Sequence, residues 1–282
     1  MSEPLKIVVV GATGKMGQAI SHQVYNESSL ELLAAIDIES SGGIGKDVGE
    51  LIGLNTGIKI SVDFESTLKK ADVVIDFTRP EASLSFIDLC AKNNVAYVLG
   101  TTGFSEQEKK LITDVAKKIP ICFSPNMSIG VNLLISLTEK ATKILQHDYD
   151  IEIIESHHKH KVDAPSGTSL RLGESVAKVT GRTLNENGVF KRHGNNLERK
   201  ENEIGFSTIR GGDIVGEHTV MFAGIGERIE LTHKASSRST FSKGAIIAAK
   251  FLRDKKNGLF DMFDVLGLKD WNLTKFKLKK IL

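Results

Sequence analysis

Leu5-Lys6-Ile7-Val8-Val9-Val10-Gly11-Ala12-Thr13-Gly14-Lys15-Met16-Gly17, LKIVVVGATGKMG, is the stretch that decides the fold. Its first six residues are a short, largely β-branched apolar run, as in a strand buried on both faces of a parallel sheet. Glycines follow at once, and then a helical stretch to about Glu27. Glycine here lets the backbone turn tightly and approach a pyrophosphate, whose charge meets the amino end of the helix. The spacing is GxxGxxG, with the middle glycine one place later than in the usual dinucleotide fingerprint. Gly11, Ala12, Thr13, Gly14, Lys15 and Met16 are therefore candidate cofactor contacts. A second apolar run, Leu32 to Ile36, ends at Asp37, 20 residues after Gly17. An acid at that strand end is placed to grip a ribose hydroxyl pair.

Strand and helix patterns go on alternating downstream. Ser40 to Gly57 is glycine-rich and aperiodic, and reads as a mobile surface loop. Asp72 to Phe77 reads as a strand, followed by a helix start with Pro80 at its first position. Val95 to Leu99 is the next strand and leads into Gly100-Thr101-Thr102. Ser105 to Glu108 is a capping box. Ile121 to Phe123 is a further strand, ending at Ser124-Pro125-Asn126-Met127. This alternation predicts an α/β, Rossmann-like, doubly wound parallel sheet with its ligand at the carboxyl ends of the strands. From Ile129 the pattern changes. A helix to about Gln146 and a strand from Ile151 are followed by a polar stretch, Arg182 to Glu203. Strand-like runs then cover Ile204 to Arg210, Glu217 to Phe222 and Arg228 to His233. Gly211 to Asp213 and Gly224 to Glu227 read as hairpin turns between them. The expectation is a second, α+β domain with a largely antiparallel sheet. Boundaries are expected at 1–128, 129–237 and 238–282, the last segment returning to the first domain.

At 282 residues the chain has room for two domains, and its composition, 40% hydrophobic and 26% charged, is ordinary for a globular protein. A net charge of +2 gives no reason to expect nucleic acid, and the amino-terminal apolar run is too short for a membrane span. Cys90 and Cys122 form no CxxC pair, which fits a reducing cytoplasm.

Ile151 to Leu170, IEIIESHHKHKVDAPSGTSL, holds three of the eight histidines, His157, His158 and His160, interleaved with Lys159 and Lys161. Imidazoles titrate near neutral pH and ammonium groups attract anions, so the cluster points to proton transfer on an anionic substrate. The Pro-Ser-Gly-Thr turn adds backbone N–H groups at a helix start. A metal site at these histidines is disfavoured by the flanking lysines, so no metal is expected. A short-chain dehydrogenase would need Tyr-x-x-x-Lys, which none of Tyr25, Tyr97 and Tyr149 begins. A dinucleotide-sensing regulator would not need the cluster and would carry a partner module, which is not found.

ESHHKHKVDAPSGTS closely resembles the signature of the dihydrodipicolinate reductase family, and DFTRP, GTTGF and SPNMS resemble its motifs at the strand ends. The resemblance implies NAD(P)H-dependent reduction of 4-hydroxy-tetrahydrodipicolinate in the diaminopimelate route to lysine. It implies His157 as acid/base residue and Lys161 as proton donor, with His158, Gly167 and Thr168 on the carboxylates of a small dicarboxylate. It assigns Gly100, Thr101, Thr102, Ser124, Pro125, Asn126 and Met127 to the nicotinamide cofactor, and implies a homotetramer built through the second sheet. Arg238 is a further candidate contact. Some relatives follow the strand-end acid with an arginine that binds the 2′-phosphate of NADPH. Here Asp37 is followed by Ile38, so NADH is expected to be preferred, with NADPH still usable through Lys15.

Overall fold

The opening apolar run becomes strand β1 (Leu5–Val10) in the computed structural model, which describes residues 3–195, 198–237 and 239–269. It is followed by α1 (Lys15–Tyr25), β2 (Leu30–Ile36), β3 (Ile60–Ser61), α2 (Phe64–Leu68), β4 (Val73–Asp76), α3 (Pro80–Asn93), β5 (Ala96–Leu99), α4 (Glu106–Val115) and β6 (Pro120–Phe123). Then come α5 (Ile129–Leu145), β7 (Asp150–His157), α6 (Gly167–Thr180), α7 (Leu184–Asn187), β8 (Gly188–Val189), β9 (Ile204–Arg210), β10 (Gly216–Ala223) and β11 (Arg228–Ala235). The described chain ends with α8 (Ser239–Leu252), β12 (Gly258–Phe260) and α9 (Met262–Val265). Of the described residues, those within 3–127 and 241–269 form one compact unit, and those within 128–240 form another.

In the first unit seven parallel strands lie in the order β12-β6-β5-β4-β1-β2-β3. Both faces of β1 are buried. Ile7 and Val9 share a core with Ile20, Val24, Ala245 and Ala249, whereas Val8 and Val10 join Ile87, Tyr97 and Ile112 in another. This is why the run is continuously apolar rather than alternating. Each such side chain, fully buried, contributes roughly 1.5–3 kcal/mol. Strand order reverses between β1 and β4, where sheets of this kind open a crevice beyond their carboxyl ends. Local signals hold: Pro80 opens α3, and Ser105 and Glu108 form a capping box on α4.

Within the segment expected as a mobile surface loop, Ser40 to Gly57, the stretch from Asp47 to Gly57 turns around one carboxylate. Asp47 accepts from the N–H groups of Gly49 and Gly57 at 2.7 Å each, and from the Thr56 hydroxyl. Val48 beside it is fully buried.

In the second unit the sheet order is β11-β10-β7-β9-β8. It is antiparallel across β11, β10 and β7 and parallel from β7 to β9 and β8, so it is mixed. The parallel step arises because α6 lies between β7 and β9 in the chain and acts as a crossover. Gly224 to Glu227 is a hairpin turn, closed by Gly224 N–H on Glu227 O at 2.9 Å. Gly211 to Asp213 is not, because β7 lies between β9 and β10. That stretch pairs with the end of β7 instead, through Gly211 N–H on His157 O at 3.0 Å and Lys159 N–H on Gly212 O at 3.2 Å. No helix among the described residues is long and apolar enough to cross a membrane.

Candidate active site

The glycine loop sits at the carboxyl end of β1. Gly11 adopts φ +69°, where a side chain would be strained. At Gly17 a Cβ would stand 2.1 Å from the Gly11 carbonyl oxygen, so only glycine lets α1 approach the loop this closely. No side chain caps α1, which leaves its amino end to a ligand. Lys15 is exposed on its first turn, while Ala12 is buried and offers only backbone. Asp37 follows β2 and reaches the loop: its Oδ2 accepts from both the N–H and the hydroxyl of Thr13 at 2.7 Å, and its Oδ1 from Ile38 N–H at 2.8 Å. A tight glycine turn, an uncapped helix and a strand-end carboxylate in contact suit a dinucleotide.

The neighbouring strand ends are tied together by Asp76, an acid that the sequence reading passed over. Its fully buried carboxylate accepts from Tyr97 Oη at 2.6 Å and from Thr78 N–H at 2.7 Å. Its carbonyl takes Gly100 N–H at 2.8 Å, and Ser83 donates to the Thr101 hydroxyl at 2.9 Å. Burial, with Asp76 alongside, pushes the Tyr97 phenol well above its ordinary range, so it acts here as a donor. Ser124 N–H joins the Leu99 carbonyl at 3.1 Å, and its hydroxyl reaches Asn126 O at 2.9 Å. Pro125 and Thr102 are exposed, whereas Met127 is buried in the apolar core.

The second group lies at the end of β7. Alternation along this strand buries Ile151, Ile153, Glu155 and His157 on one side. His157 Nδ1 lies 2.5 Å from Glu155 Oε2, and Arg210, opposite His157 on β9, forks onto both Glu155 oxygens at 2.8 Å. Glu155 also accepts Ser166 N–H at 3.1 Å, and Arg210 donates to the Asp163 carbonyl at 2.7 Å. The loop bearing Lys161 is thus tied on its carboxyl side, at Asp163 and Ser166, and Lys161 itself pairs with Asp163 at 2.7 Å. Ser166 caps α6, which places Gly167 and Thr168 on its first turn, with Gly167 exposed. His158 is half-buried, its ring 6.4 Å from that of His160. His218 on β10 completes the cluster, its ring 5.1 Å from His157 and its Nε2 3.0 Å from the Ser166 hydroxyl. Arg238 lies outside the described residues.

Burial lowers the pKa of His157; Glu155 opposes the shift, while Lys161 and Arg210 add to it. Burial would raise Glu155, but hydrogen bonds from Arg210 and His157 hold it below the usual carboxylate range. The result is a neutral imidazole held by an ionised carboxylate, beside an ammonium group and a helix amino end. That combination can exchange a proton and bind an anion. Of these partners Lys161 and the helix start at Gly167 were read from the sequence; Glu155, two residues before His157 on a strand, was not singled out, though strand alternation puts it on the same face. Arg210 and His218 arrive through sheet register.

Comparison with known proteins covers both units. The family model "Dihydrodipicolinate reductase, N-terminus" matches residues 5–127, and "Dihydrodipicolinate reductase, C-terminus" matches residues 130–266. The 4-hydroxy-tetrahydrodipicolinate reductase of Nitrosospira multiformis is 52% identical over 94% of this chain and 98% of its own length. That of Nitrosomonas europaea is 53% identical over 94% and 99%. The dipicolinate-bound dihydrodipicolinate reductase from Paenisporosarcina sp. TG-14 superposes with a TM-score of 0.75 at 27% identity, covering 93% of this chain and 98% of that one. With both halves matched and about half of all positions shared with such relatives, the chain belongs to the dihydrodipicolinate reductase family.

Proposed function

We propose that this chain reduces 4-hydroxy-tetrahydrodipicolinate to tetrahydrodipicolinate, in the diaminopimelate route of lysine biosynthesis, through the His157/Lys161 loop. The observation that carries the reading is that loop itself: a neutral, buried imidazole beside a lysine and a serine-capped helix start. NAD(P)H, when bound, supplies the hydride. The glycine loop, Asp37 and the strand ends at Gly100–Thr102 and Ser124–Met127 hold the dinucleotide. Lys161 donates the proton, His157 serves as the acid/base group that restores it, and the 4-hydroxyl of the substrate leaves as water, so that one hydride and one proton are consumed per turnover. His158 and the first-turn N–H groups at Gly167 and Thr168 neutralise the substrate carboxylates.

NADH is the preferred donor and NADPH a usable one. Asp37 is poised for ribose hydroxyls, and a 2′-phosphate in the same place would meet like charge. At about 4 Å and an effective dielectric near 20 that repulsion is on the order of 4 kcal/mol per unit charge before relaxation. The enzyme works as a cytoplasmic homotetramer joined through the open face of the five-stranded sheet, and its two buried free cysteines agree with a reducing compartment.

Steady-state kinetics on the coupled dihydrodipicolinate synthase product test the assignment. His157→Gln and Lys161→Ala are each expected to lower kcat by roughly 10²-fold or more while leaving dinucleotide affinity nearly unchanged. Wild-type turnover in both variants would overturn it.

A further inference from the structure

We propose that Glu155 is a positioning residue that fixes the tautomer of His157, so that Nδ1 carries the resting proton and Nε2 is the nitrogen that exchanges protons in the reaction. The inference rests on the reading of His157 as the acid/base group.

The geometry leaves His157 little choice. Glu155 has no side-chain exposure, and its two oxygens face two nitrogens of the Arg210 guanidinium at 2.8 Å. A carboxylate in such a fork is ionised and can only accept hydrogen bonds. Nδ1 of His157, 2.5 Å from Oε2, must therefore be the donor, which leaves the lone pair of the neutral ring on Nε2. Gly216 on β10 lies beside Nε2 and brings no side chain against it. A Cβ at Gly216 would stand 3.1 Å from it, closer than side chains ordinarily pack, and this position has none.

Arg210 explains why a buried carboxylate so close does not lock the ring as imidazolium. A lone Glu155 would hold the proton on His157. Sharing that carboxylate with a guanidinium weakens its pull, and the same Arg210 holds the Asp163 carbonyl at 2.7 Å, next to Lys161 in the loop. The charged and titratable groups facing the ring are Glu155 on its own strand, Arg210 on β9, Lys161 in the loop and His218 on β10. His218 is neutral by burial, so Glu155 is the one group among them that favours the charged ring.

Two measurements decide the matter. Long-range proton–nitrogen NMR of the unsubstituted enzyme reads the His157 tautomer without relying on any variant's folding, with the signal assigned by its absence in His157→Gln. Nδ1 protonated and Nε2 bare is the expected result, and the opposite tautomer overturns the proposal. Glu155→Gln is expected to lower kcat by roughly 10²-fold with the KM for dinucleotide unchanged, and to move the pH limb that vanishes in His157→Gln to lower pH. Glu155→Asp, which keeps the charge, should restore the limb toward its wild-type position. Full turnover and an unmoved limb in Glu155→Gln, with His157→Gln inactive, sink the positioning role alone. Full turnover in His157→Gln sinks the underlying assignment of the acid/base group instead.

Discussion

At Asp37 the carboxylate accepts three hydrogen bonds from Thr13 and Ile38, while Ile38 itself is 64% exposed. Ile38→Arg puts a cation where a 2′-phosphate would meet Asp37. It should lower KM for NADPH and leave that for NADH nearly unchanged. An unmodified enzyme favouring NADPH by about tenfold or more in kcat/KM would show that Asp37 does not address the ribose, since such a ratio is the ~1.4 kcal/mol that a wrongly placed charge gives easily. His218 carries a second residue-scale expectation. Burial, reinforced by His157, brings its pKa from 6.5 down to about 4. Between those two values the unfolded chain binds a proton that the folded chain does not, so stability rises with pH through the window. The contribution is complete above the unfolded value and lost as pH falls through the folded one. It amounts to on the order of 3 kcal/mol. Denaturant midpoints should therefore drop more steeply from pH 7 to 4.5 in the wild type than in His218→Gln, and equal slopes would refute the assignment.

Among the elements, β1 with its glycine turn and α1 was legible because burial on both faces and close helix approach each demand particular residues, Ile7 to Val10 and Gly17. Contacts made by register were not. His157 faces Arg210 only because α6 carries the chain over to a parallel β9. The glycine pair at Gly211 and Gly212 looks like a hairpin in one dimension, since no local pattern shows β7 inserting between β9 and β10. Asp47 was likewise unreadable, because its partners Gly49, Thr56 and Gly57 are brought to it by the loop's own folding. The five-stranded sheet offers the element-scale prediction. Its outward positions include Ile209, half exposed on β9, and Thr219 and Met221 on β10. A sheet face with such residues offers a surface for association, and the proposed tetramer would bury it. Sedimentation equilibrium should return four chains, and Met221→Arg should shift the enzyme toward smaller species. A wild-type monomer at micromolar concentration would remove the tetramer from the picture.

For the molecule as a whole, the change of period near Ile129 leads to expected boundaries at 128 and 237. The structure divides the chain after Met127 and again after Thr240. One consequence concerns the order in which the protein is made. Ala245, Ile246, Ala249 and Leu252 of α8 sit in the same core as Ile7 and Val9, so the first unit's hydrophobic centre draws on both ends of the chain. A ribosome translates the amino-terminal strands first, yet it must finish the whole inserted unit before α8 emerges to cover them. During that interval residues 128–240 are already synthesised, while the sheet of residues 5–123 has α1 but not yet α8 on that face. Vectorial synthesis thus favours the inserted unit as the earlier one to mature, with the core of the dinucleotide-binding half completed only once α8 has left the ribosome.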